Sequence, residues 1–105
     1  MPKLDQLLEL LKSEPDDAFL RYGVAMEYQK AKQHDKAIAE FEELSRRNPD
    51  YVAGYFMWGR SLEQNGDVAG ARTIYKRGIE VARKVGDNHA ASEINEALEM
   101  LNAGA

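Results

Sequence analysis

The chain has 105 residues, no cysteine, and 18 acidic against 14 basic residues, for a net charge of −4. Its 44% hydrophobic and 30% charged residues suit a single folded domain. These values exclude a disulfide scaffold, a thiolate metal site and a cysteine nucleophile, and they argue against nucleic-acid binding driven by net charge.

Leu4, Leu7, Leu8 and Leu11 recur at helical spacing ahead of Pro15, which predicts an amphipathic first helix within residues 1–14. Val24, Ala25 and Tyr28 give the next apolar stripe, closed by the polar turn Lys32-Gln33-His34-Asp35. Ala37, Phe41 and Leu44 then recur at i, i+4 and i+7, with glutamates between them. Tyr55, Trp58, Gly59 and Leu62 form a further stripe, ended by Asn65-Gly66-Asp67, where Gly66 is placed for a left-handed helix stop. Ala71, Tyr75, Gly78 and Ala82 follow. After Gly86-Asp87-Asn88, the residues Ile94, Ala97, Leu98 and Leu101 predict a last helix over 87–102, with Glu93, Glu96 and Glu99 turned outward. Pro15 and Pro49 are expected at the starts of helices, and Asp16 and Asp17 as N-terminal caps.

The two central units repeat at an offset of 34 residues. Pro15-Asp16 falls on Pro49-Asp50, Ala25 on Gly59, Ala37 on Ala71 and Phe41 on Tyr75. Two helices per unit, small residues where axes approach and aromatics between layers are the signature of a repeat array. This pattern resembles the tetratricopeptide repeat. The second unit carries it through Tyr55, Trp58, Gly59, Leu62, Gly66, Ala71, Tyr75 and Gly78. The first carries it through Val24, Ala25, Tyr28, Ala37, Phe41 and Pro49, and departs at Arg21, Lys32 and Leu44. The second departs at Arg83, where the family places proline. The resemblance implies an all-α right-handed solenoid of antiparallel helix pairs, with about five helices. Repeats are expected over 18–51 and 52–85, between two capping helices in one domain. The Met1 start and amphipathic ends give the expectation of a complete unit.

A catalytic constellation does not emerge from the residues. His34 and His89 fall in different layers without ligand spacing, and the adjacent carboxylates of Glu42-Glu43 point apart on a helix. No phosphate loop, calcium loop or cofactor motif is present, so the expectation is a protein that is not an enzyme and holds no cofactor or metal. Arg72, Lys76, Arg77, Arg83 and Lys84 make a basic helix face, read as solvated, with an acidic partner as the sharper reading.

The resemblance implies a concave groove lined by first helices that holds a peptide or partner helix. On this chain its positions are Phe19, Tyr22, Met26, Gln29 and Lys30, then Ala53, Phe56, Arg60, Glu63 and Gln64. The apolar residues Phe19, Tyr22, Met26 and Phe56 exceed what one packing stripe needs, which leaves two readings open, an interaction surface or extra core. Tyr22, Met26 and Met57 occupy positions where the chaperone-tail-binding branch carries Lys and Asn, so that ligand is not expected. The expected function is a protein-interaction module, an adaptor or scaffold, with a protein or peptide partner and neither nucleic acid nor membrane. The alternative is a structural protein that buries the same face in a homo-oligomer. Met1-Pro2-Lys3 leads into the first helix without an apolar segment, and the uncharged stretch Val52–Gly59 is too short to span a bilayer. The expected location is the cytoplasm.

Overall fold

In the computed structural model, which describes residues 2–104, the chain is a run of helices joined by short turns. They are α1 (Pro2–Ser13), α2 (Ala18–Lys30), α3 (His34–Arg47), α4 (Val52–Gln64), α5 (Val68–Lys84) and α6 (Asn88–Gly104). No strand occurs among the described residues. The expected count of five helices is one short, because two helix pairs with a flanking helix at each end make six. Each helix packs on its neighbour in the chain, and α4 also touches α2 and α6 across the intervening helices. The stack measures 40 × 30 × 18 Å.

The turns explain where the helices stop. Helices α2, α4 and α5 end in the same pair of hydrogen bonds. In α4 the Gly66 N–H donates to the Glu63 carbonyl at 3.0 Å, and the Asp67 N–H to the Leu62 carbonyl at 2.8 Å. This closure needs one residue in the left-handed region. Gly66 and Gly86 fill that place with φ of 82° and 81°, whereas α2 uses Lys32 with φ of 60°. The next residue starts the following helix. Asp67 accepts the Gly70 N–H at 2.8 Å, and Asp87 accepts the Ala90 N–H at 3.0 Å. Gln33, at the corresponding place before α3, makes no side-chain cap.

Pro15 and Pro49 do not begin the helices. They sit in the turns, and α2 and α4 start three residues later. Side chains from those helices hold the proline carbonyls. Arg21 Nη2 donates to the Pro15 carbonyl at 3.1 Å, and Tyr55 Oη donates to the Pro49 carbonyl at 2.6 Å. Of the two aspartates expected to cap α2, Asp17 does so, accepting the Leu20 N–H at 3.1 Å. Asp16 instead pairs with Arg47 Nη1 at 2.6 Å, tying the end of α3 to the turn before α2.

The main core runs through α2 to α6 and includes Ala25, Phe41, Leu44, Tyr55, Trp58, Tyr75 and Ile94. Small residues permit its closest approaches. A Cβ on Gly59 would lie 2.3 Å from Cε1 of the fully buried Tyr75 ring, a distance no side chain tolerates. A second cluster joins α1 to α2 through Leu4, Leu11 and Val24, with Leu7 and Leu8 half-buried beside it. Arg21, the charged residue at an expected apolar position, is buried, and its Nη1 donates to Glu40 Oε1 on α3 at 2.8 Å. Burying a guanidinium costs free energy unless charge and hydrogen bonds compensate, and here both do.

Candidate functional site

A groove opens between α4 and α6, with the start of α5 at one end. Its cavity is about 820 Å³. The more buried part of its wall is Phe56, Tyr75, Ala97 and Leu101. The exposed part is Arg60, Glu93, Glu96 and Met100, with Glu63 half-buried beside them, and Gln64, Val68 and Gly104 close the ends. Met100 is 75% exposed, so an apolar side chain stands open to solvent at the lip.

Each wall residue is placed by helical spacing. Phe56, Arg60 and Glu63 lie on one face of α4 at i, i+4 and i+7, as do Glu93, Ala97 and Met100 on α6. The Phe56 ring packs on Tyr75 at a centroid distance of 6.3 Å, and the Arg60 guanidinium lies 6.0 Å from the Phe56 centroid. The Tyr75 hydroxyl donates to Glu63, joining core to groove. Burial, helped by this bond to a carboxylate, pushes the Tyr75 hydroxyl well above its ordinary pKa. His89 Nε2 lies 3.4 Å from Glu93 Oε1 in the first turns of α6.

The groove residues expected from the sequence divide into two sets. Phe56, Arg60, Glu63 and Gln64 line this cavity, while Phe19, Tyr22, Met26, Gln29 and Lys30 are not among its wall residues. Tyr22 packs between Tyr51 at 5.5 Å and Phe41 at 6.3 Å, and Met26 is half-buried against the core. Gln29 Nε2 donates to Ser61 Oγ at 2.8 Å and to the Met57 carbonyl at 3.2 Å, stitching α2 to α4. Lys30 pairs with Glu27 at 3.3 Å on the same helix. Phe19 is 74% exposed in the first turn of α2, and Ala53 is exposed in the first turn of α4.

Sequence reasoning missed the α6 wall. Glu93 and Glu96 are exposed, as expected, but they border the groove instead of facing away from it. The signal was present in the spacing of Glu93, Ala97 and Met100, one turn apart along one face.

The basic face of α5 is largely engaged within the chain. Arg77 stacks on Trp58 at 5.4 Å and Tyr55 at 5.5 Å, Arg72 Nε donates to Asn102 at 2.8 Å, and Lys84 pairs with Asp50 at 3.1 Å. His34 is the first residue of α3, and its buried Nδ1 has no partner among the described residues. No cluster of three or more His, Cys, Asp or Glu suited to a metal occurs among the described residues. No helix among them is long and apolar enough to cross a membrane.

The tetratricopeptide repeat family model matches residues 17–51 and 53–81. The chain is 29% identical over 99 residues to the TPR repeat-containing protein PA0015 of Pseudomonas aeruginosa, covering 94% of each chain. A tetratricopeptide repeat domain protein from Salinibacter ruber superposes with a TM-score of 0.80 at 37% identity, over 85% of this chain and 90% of that one. The TPR2B domain of yeast Sti1, solved as a complex with pHsp70, superposes with a TM-score of 0.90 at 19% identity, over 97% of this chain and 82% of that one. With the turns, the Gly59–Tyr75 approach and the matched residues in agreement, this chain belongs to the tetratricopeptide repeat family.

Proposed function

We propose that this chain is a non-enzymatic protein-interaction module that holds a peptide or partner helix in the groove between α4 and α6. The observation that carries the reading is the open apolar wall, with half-buried Phe56 opposite exposed Met100 across a cavity of about 820 Å³. A volume of this size, mostly apolar with a few placed charges, suits one or two anchoring side chains. Arg60 and Glu63 would set the orientation of the bound segment. The capture of pHsp70 by the Sti1 domain supports the general class of activity on this fold. Two buried anchors are consistent with micromolar affinity, about −8 kcal/mol.

The test begins with light scattering on a size-exclusion column from low to high micromolar protein. A monomer of 11.8 kDa leaves the groove open, while a dimer that dissolves in a Met100→Ser variant assigns the face to self-association. A pull-down then compares wild type with Phe56→Ala and Met100→Ser. The reading requires a partner that wild type retains and both variants lose, with each variant still folded by circular dichroism. Retention by both variants overturns it.

A further inference from the structure

We infer that the segment this groove accepts is basic as well as apolar: a Leu-, Met- or Phe-like anchor next to Lys or Arg. The inference rests on the proposed groove and specifies its ligand. Its charged wall is three carboxylates, Glu63, Glu93 and Glu96, against the single guanidinium of Arg60. Among the described residues Glu96 has no ion-pair or hydrogen-bond partner, and the side-chain neighbour of Glu93 is His89, a cation only when protonated. Glu63 is half-buried, and the Tyr75 hydroxyl adds no positive charge to it. Two wall residues, Gln64 and Gly104, are the last residues of α4 and α6. Helix C-termini carry partial negative charge, so both helices add to the field. Among the described residues the helix N-terminus at the groove, that of α5, is capped by the Asp67 carboxylate.

Opposite charge across an interface steers encounter and selects partners, and the preference shrinks as salt screens it. An anchor on Phe56 and Met100 would leave an adjacent ammonium or guanidinium beside Glu96 and Glu93, one and two turns away on α6. An acidic segment placed the same way would put like charges together at the exposed rim.

The experiment selects binders to the immobilised full chain from a phage-displayed random library of peptides of about twelve residues. Winning peptides are then measured by fluorescence anisotropy at about 50 and 300 mM salt. The expected winners combine an apolar residue with neighbouring Lys or Arg. Their affinity should fall about tenfold in high salt, and by a similar factor in the double variant Glu93→Lys/Glu96→Lys. Both glutamates are exposed, so that variant keeps its fold, and Met100→Ser supplies an anchor control at an exposed site. Winners that are neutral or acidic, yet lost in Met100→Ser, overturn the basic preference and leave the groove reading standing. Failure to enrich any sequence, or binding indifferent to both Met100→Ser and Phe56→Ala, overturns the groove reading and the basic preference with it.

Discussion

The two repeats build the same frame from different chemistry. In the first, Arg21 holds the Pro15 carbonyl and pairs with Glu40; in the second, Tyr55 holds the Pro49 carbonyl with a hydroxyl and fills the space with a ring. Ala25 faces the first repeat's layer where Gly59 admits the Tyr75 ring in the second. Gln29 spends its amide on α4, whereas Glu63, its equivalent, reaches Tyr75 and keeps a place in the groove. The difference teaches that a repeat position specifies a shape and a hydrogen bond, not a residue type. The first-repeat equivalents of the cavity residues are engaged within the fold: Tyr22 packs on Phe41 and Tyr51, Met26 against the core, Gln29 bonds to α4 and Lys30 pairs with Glu27.

The comparison can be broken most severely at Gly59. Gly59→Ala should lower stability by roughly 1–3 kcal/mol or more through overpacking against Tyr75. Ala25→Gly has no clash and should cost about 1–2 kcal/mol, from helix propensity and the loss of one buried methyl. Urea denaturation reads both, and a Gly59→Ala variant as stable as wild type would refute the close-packing argument. Next in size is Arg21→Ala, expected to cost about 1–3 kcal/mol because Glu40 stays half-buried without its partner. Tyr55→Phe removes only the bond to Pro49 and should cost about 0.5–1.5 kcal/mol.

A further change sharpens the likeness. Lys32→Gly with Gln33→Asp would give the first repeat the turn of the second. It should raise stability by about 1–2 kcal/mol, from relief of a left-handed lysine and gain of a cap, read as a higher urea midpoint. The smallest effect is in acid. Arg46, then Arg47, hydrogen-bonds Glu43 and holds its carboxyl at about 2, below the ordinary 4.5. A depressed carboxylate stabilises the fold above its unfolded pKa, and that contribution drains as pH falls from 4.5 toward 2. Glu43→Gln should therefore flatten the loss of stability in that window. In the second repeat Arg77 takes this position and stacks on Trp58 instead.

Much of this was legible in the sequence where the 34-residue offset holds. The Pro15–Pro49, Ala25–Gly59 and Phe41–Tyr75 correspondences give both repeats, and the leucines of α1 and the Ile94 stripe of α6 give the flanks. The site was legible only on α4. Helix α5 has 17 residues against 14 in α3, which moves α6 out of that offset. With the buried Ala91 and Ile94 taking the places of Tyr55 and Trp58, the spacing becomes 36, and no repeat comparison pointed to Met100 or Glu96 as wall residues. Arg21 and Lys32 read as departures from the family because their function depends on partners distant in the sequence or on backbone geometry. A sequence pattern shows neither Glu40 opposite Arg21 nor a lysine at φ of 60°.

The glycine–aspartate turn between α4 and α5 is almost self-contained. The backbone and cap bonds that close α4 and open α5 there all lie between Ser61 and Ala71, and the turn's one hydrogen bond to another helix among the described residues is a long one of 3.4 Å, from Asn65 Nδ2 to Asp35 on α3. The same dipeptide recurs before α6, joining helices from different units. Such a link is portable. It lets a helix be appended to a stack without redesign of the connection, so the length of the array becomes a quantity that duplication can change while the joints stay constant.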